Sequence, residues 1–182
     1  MPWTAPDPYS DCRLEDAPDR CVTDVCRSAL NSYQTLLSEA APGTIPAKNK
    51  FDILQFASII PNIVMSALTK PDQCIYRVVG EEVIERIGFN PTGNNYFDFV
   101  PQASLKRAIR TMMALVEVPC RLRVVIEQSY SNGLHNTIEV VLMPLTSDVP
   151  GVDGYILSAE DDIIDHEQTL HDGRVLLGKK VV

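Results

Sequence analysis

The sequence is short of the groups that most often announce a chemistry. It has three histidines, one tryptophan and five cysteines (Cys12, Cys21, Cys26, Cys74, Cys120), none in a CxxC pair. An odd count with irregular gaps excludes a zinc ribbon and a thioredoxin-type site. It fits reduced thiols better than a redox-sensing Cys21/Cys26 pair. No GxGxxG, GxxxxGK[ST], HExxH, GxSxG or EF-hand pattern occurs, so nucleotide-dependent, zincin and serine-hydrolase chemistry has no local support. No segment approaches the roughly 18 apolar residues that would span a bilayer. The start, MPWTAPDPYSDC, lacks the basic and apolar regions of a signal peptide. Basic residues are outnumbered 16 to 24, for a net charge of −8, which argues against a general binder of nucleic acid or anionic membrane. The expectation is a cytoplasmic protein without nucleic-acid or membrane partners.

What is present suits one globular domain with appendages: 182 residues, 45% hydrophobic and 22% charged. Residues 1–21 hold four of the thirteen prolines and are expected to form a flexible arm. Residues 22–60 read as a helical segment. In it Val22, Cys26, Ala29, Tyr33, Leu36 and Leu37 recur at helical spacing to about Glu39. A shorter helix follows over Phe51–Ile60, ended by Pro61. Residues 61–160 read as the core. Strands at Ile63–Leu68 and Gln73–Val79 flank the turn Lys70-Pro71-Asp72. A short helix Glu81–Ile87 is closed by Gly88, a helical turn covers Gly93–Phe99, and a longer helix lies between Pro101 and Glu117. Strands follow at about Cys120–Tyr130, His135–Leu145 and Val152–Ala159. Residues 161–182 form an acidic tail, with Glu160-Asp161-Asp162 suited to the first turn of a helix.

The register of one hairpin is readable. A three-residue Ser131-Asn132-Gly133 loop pairs Leu122 with Leu142, Val124 with Val140, and Ile126 with Ile138, keeping the apolar residues on one face. The other face then carries Arg121, Arg123, Val125, Glu127, His135, Thr137, Glu139, Val141 and Met143. It is a mixed face of the kind a helix covers. The order implies an α+β layout, a five-stranded antiparallel sheet with helices on one side.

Tyr76-Arg77-Val78-Val79-Gly80, Gly88 and Asn90-Pro91-Thr92-Gly93 resemble the "YRLVG…G.dlTG" pattern of a family of small, stand-alone PAS proteins of alphaproteobacteria. Tyr33, Leu36, Pro46 and Phe51-Asp52 resemble that family's preceding segment. Glu81 stands where the family commonly has Thr, and Asn90 where it commonly has Asp. The motif also has its own physics. Gly80 and Gly88 suit a left-handed or crowded backbone, Thr92 is an N-cap candidate for the turn at Gly93, and Arg77 faces away from Tyr76 and Val78.

The resemblance implies a bacterial sensory or regulatory protein that works in signal transduction by contact with a protein partner. A small ligand would be held between sheet and helices, lined by Tyr76, Met112, Leu122, Val124, Ile126, Ile138, Val140, Leu142 and Tyr155. The same residues would equally fill that space. The apolar stripe at 22–39 predicts a homodimer through that helix. The cofactor is unknown and neither haem nor flavin is expected. No metal site is expected, His166 and His171 with Asp162 and Asp165 reading as a solvated tail. The alternatives are a ligand-free structural adaptor and an NTF2-like enzyme pairing Tyr76 or Tyr155 with Glu139, which the register turns outward.

Overall fold

The computed structural model describes residues 21–70, 72–129 and 135–163. Residues 1–20 of the expected arm, the loop Ser131-Asn132-Gly133, Pro71 and the tail with His166 and His171 lie outside the described residues.

Five runs of alternating or fully apolar residues become strands β1 (Ile63–Lys70), β2 (Gln73–Val79), β3 (Leu122–Ser129), β4 (His135–Thr146) and β5 (Gly154–Asp162). They form one antiparallel sheet in the order β2-β1-β5-β4-β3. Leu122 pairs with Leu142, Val124 with Val140 and Ile126 with Ile138, the register predicted from the sequence. Three helices accompany the sheet: α1 (Asp24–Glu39), α2 (Glu81–Ile87) and α3 (Gln102–Glu117).

The sheet is buried on both faces. On the inner face Leu68, Cys74, Leu122, Val124, Leu142 and Ile156 pack against Phe97, Val100 and the Ala108, Met112 and Leu115 stripe of α3. Gly154 permits that approach, since a Cβ there would lie 2.7 Å from Val116 Cγ1. On the outer face Met65, Val141, Met143, Leu145, Leu157 and Ala159 meet the Cys26, Ala29, Tyr33 and Leu36 stripe of α1. The helices of the core thus lie on one side, and α1 seals the other.

Local chemistry explains the joints. Thr23 caps α1, accepting from Cys26 N at 3.2 Å. Gly88 ends α2 in the left-handed conformation at φ 82°, its N–H returning to Ile84 O at 2.8 Å. Gly80 answers crowding, because a Cβ would stand 2.1 Å from Pro61 O.

Four expectations are corrected. Residues Ile53–Asn62 form 3₁₀ turns broken at Phe56 and running past Pro61, where a short helix ending at Pro61 was expected. The cap of the turn Tyr96–Phe99 is Asn95, whose side chain accepts from Phe97 N, and not Thr92. Thr92 and Gly93 instead occupy a turn closed by Asn94 N donating to Pro91 O, with Gly93 at φ 89°. The Cys120 side of β3 starts two residues later than expected, at Leu122. Glu160-Asp161-Asp162 does not begin a helix. β5 continues through it, because Val140 pairs with Glu160 and Ile138 with Asp162.

Candidate functional site

Polar side chains gather at one end of the inner face. The β5 register puts Ser158 and Glu160 on the same face as Leu142 and Val140, and Ser66 and Tyr76 pair across β1 and β2 on that face. From the last turn of α2, Arg86 reaches over them. Its Nη1 donates to Glu160 Oε2 at 3.2 Å, and its Nε stands 3.4 Å from Asp162 Oδ1. The Arg86 side chain is 6% exposed and that of Glu160 14%, and Arg86 Nε makes no hydrogen bond among the described residues. Asn62 Nδ2 donates to the Glu160 carbonyl at 3.1 Å, and Asn136 Nδ2 to Asp162 Oδ1 at 3.2 Å.

Aromatic rings lead from this cluster to the surface. Tyr76 meets Tyr96 edge-on at 6.2 Å and Phe99 at 6.3 Å, and Phe99 meets Phe89 at 5.6 Å. Phe89 and Phe99 are exposed. Burial, then Cys74 and Glu160, pushes the Tyr96 hydroxyl up to about 12, and burial with Tyr96 and Glu160 raises that of Tyr76. Burial raises the Glu160 carboxyl above its ordinary range in spite of Arg86. The corner therefore presents neutral phenols and a carboxyl paired with Arg86 whose hold on a proton burial strengthens, groups that suit hydrogen bonding to a small polar molecule.

A second polar centre lies under α1. Glu139 is 0% exposed, on the outer face of β4. Its carboxylate accepts from Val22 N at 3.0 Å, Thr23 N at 2.8 Å, Thr23 Oγ1 at 2.8 Å and Arg123 Nε. Cys26 Sγ stands 3.4 Å from the Glu139 carbonyl and 3.5 Å from that of Ala159. Burial, then Glu139, pushes the Cys21 thiol up to about 12, and burial raises that of Cys26. Such thiols are held protonated, which opposes the reactivity a redox pair needs.

Of the residues proposed to line a ligand space, Met112, Leu122, Val124 and Leu142 share the inner core, with Ile126 and Val140 packed against it. Ile138 and Tyr76 join their face by register. Tyr155 is a correction. It pairs with Ala67 and Leu145 on the outer face and packs beside the α1 core, with Lys48 Nζ 6.0 Å from its ring. Of the helix residues, Cys26, Ala29, Tyr33 and Leu36 are buried against the chain's own sheet, Leu37 packs beside them, and Val22 bonds to Glu139. In the motif, Gly80, Gly88 and Gly93 serve the backbone. Arg77 is exposed at a bulge where Ser66 pairs with Tyr76 and Met65 with Val78. Arg86 and Asn95 escaped the sequence reading. Asn95 Oδ1 accepts from Cys74 N at 2.9 Å, and Tyr76 N donates to Asn94 O at 3.0 Å, so the segment after the Asn-Pro-Thr-Gly motif is taped to the edge of β2. Extending the β5 alternation two residues would have found Glu160.

No family model and no curated protein matches the chain. Solved structures do. A light-oxygen-voltage domain studied with a flavin analogue has a TM-score of 0.50 at 12% identity, over 66% of this chain and 90% of that one. The dark structure of the LOV domain of the blue-light photoreceptor Aureochrome1 gives 0.50 at 10% identity, over 71% and 96%. The PAS domain of an HTR-like protein from Haloarcula marismortui gives 0.44 at 16% identity, over 60% and 90%. With its sheet order, its inner helices and the two likenesses at a TM-score of 0.50, the chain has the PAS/LOV fold.

Proposed function

We propose that the chain is a PAS-type sensory or regulatory unit that works by protein contact, with a second copy of itself and a signalling protein as partners. Its input is a small molecule with a polar group, taken up at the Arg86–Glu160 corner of the inner face. One observation carries the reading: β5 serves both layers. Ser158, Glu160 and Asp162 lie on the inner face, whereas Leu157 and Ala159 alternate with them beneath α1. A displacement of Glu160 moves the strand on which α1 rests. Close-packed protein interiors pass such shifts on in place of absorbing them. The fold of the neighbours supports a sensory domain, and the ligand and partners are this chain's own proposal. The NTF2-like enzyme reading gains nothing here, because Glu139 and Tyr155 both lie on the outer face.

The test combines native mass spectrometry, an absorbance spectrum and light scattering on the purified chain. A co-purified small molecule or visible chromophore, lost in Arg86→Met, supports sensing at this corner. A clean apo mass with a stable dimer leaves an adaptor that acts by contact alone. An apo monomer that captures no partner overturns the reading.

A further inference from the structure

We propose that the Glu139 carboxylate is a latch that makes the docking of α1 on the sheet all-or-none. The inference deepens the contact reading above by naming what is regulated, the covering of the outer face. Apolar burial through Ala29, Tyr33 and Leu36 holds most of α1, and such contacts are non-directional and tolerate sliding, with single hydrogen bonds from the Tyr33 hydroxyl to the Pro144 carbonyl and from Arg121 to Gln34 beside them. The Glu139 bonds are directional, and three of the four come from the entry to α1 at Val22 and Thr23. That end is the one remote from the Ala40–Ala47 connection, in which Gly43 has φ 74°.

A carboxylate is acceptor-only, with room for about four donors. Docked, Glu139 has four, Arg123 supplying both the last bond and the opposite charge. Partly lifted, α1 would leave a charge in an apolar surface with one partner, which is the costly intermediate. Fully lifted, the carboxylate meets water. The two end states are both satisfied and the states between them are not, which is the property a switch element requires. Thr23 couples the latch to the helix itself. Its hydroxyl donates to Glu139 while accepting from Cys26 N, so releasing Glu139 also loosens the cap. The other titratable groups around Glu139 are Cys21 and Cys26 from the α1 side, with Arg27 bonded to the Cys21 carbonyl, and Asp161 opposite it on β5.

The chain contains its own reporter. Cys26 lies on the face of α1 that is buried against the sheet, and Cys74 is buried on the inner face in a separate core. Undocking exposes the first and global unfolding exposes both. The full chain is treated with iodoacetamide and modification of each cysteine is followed by peptide mass spectrometry. Glu139→Gln places an amide donor among donors and is expected to speed modification of Cys26 by about tenfold or more, with Cys74 unchanged. Thr23→Val removes one donor and leaves Glu139 intact, so a smaller rise confined to Cys26 is expected, while Thr23→Ser restores the wild-type rate. Cys26 unchanged in Glu139→Gln, or Cys26 and Cys74 accelerating together in both Glu139→Gln and Thr23→Val, would overturn the latch. None of these outcomes depends on whether a ligand binds at Arg86.

Discussion

At the scale of single residues, two glycines of one motif do different work, and substitution separates them. Gly80 has an ordinary φ of −69° but no room, its would-be Cβ meeting the Pro61 carbonyl at 2.1 Å. Gly88 has room and a left-handed φ of 82°. Gly80→Ala is therefore expected to cost about 3 kcal/mol, the upper end of overpacking. Gly88→Ala is expected to cost about 1–2 kcal/mol, the penalty of the left-handed conformation alone. Urea unfolding of the two variants checks the order. Glu160 supplies a pH signature. Its folded pKa is raised above the ordinary 4.5, so the folded chain holds that proton more tightly than the unfolded one. The stability it contributes is present below the unfolded pKa and is lost as pH rises through the folded pKa. Asp161 is shifted in the same direction, also by burial first. Unfolding midpoints are expected to fall from about pH 4.5 toward neutrality, and Glu160→Gln to make that fall shallower. An equally steep fall in the variant would reject Glu160 as its source.

At the scale of elements, the Asn95 side chain joins three backbone groups. It accepts from Cys74 N and Phe97 N and donates to Asp72 O, joining the edge of β2 to the turn that follows the motif. Asn95→Ala is expected to cost about 2 kcal/mol, the scale of leaving such groups unpaired. Hydrogen exchange at Cys74 and Phe97 should quicken while β4 stays protected. Asn95 shows why part of the fold was legible in the sequence and part was not. The β3–β4 register was legible because a short loop and two alternating strands leave one pairing that keeps the apolar residues together. The phase of β5 was not. Its Gly154, Ile156, Ser158 and Glu160 series and its Tyr155, Leu157 and Ala159 series are both buried or half-buried, so hydrophobicity selects neither face. That is why Tyr155 is expected among the lining residues although it lies on the outer face. The end of β5 and the bonds of Asn95 depend on partners distant in sequence, Ile138 and Val140 for the strand and Asp72 and Cys74 for the side chain, which no local pattern announces.

At the scale of the whole molecule, the question is what α1 protects. The sequence offers its stripe equally to a second chain and to the sheet, and the fold spends Cys26, Ala29, Tyr33 and Leu36 on the sheet of the same chain. Tyr33 adds a hydrogen bond from its hydroxyl to the Pro144 carbonyl, and Arg121 Nη1 donates to Gln34 Oε1 at 2.9 Å. Dimerisation through the same stripe then requires that α1 leave its sheet, for instance by exchange between copies, which costs little where each copy offers the other an identical seat. Dimerisation that leaves α1 in place must use another surface. Deleting residues 1–40 separates the cases. The truncated chain keeps the inner core but bares Met65, Val141, Met143, Leu145 and Leu157 on three adjacent strands, a contiguous apolar face of the kind that associates. Light scattering is expected to show more chains per particle than in the full-length protein, growing with concentration. Adding back a peptide of residues 21–40 in excess should reverse the rise, because Val22 and Thr23 restore the donors that Glu139 lacks. The same peptide carrying Thr23→Val should reverse it less. A truncated chain that keeps the oligomeric state of the full chain, whatever that state is, would mean that α1 neither covers an adhesive face nor mediates the dimer.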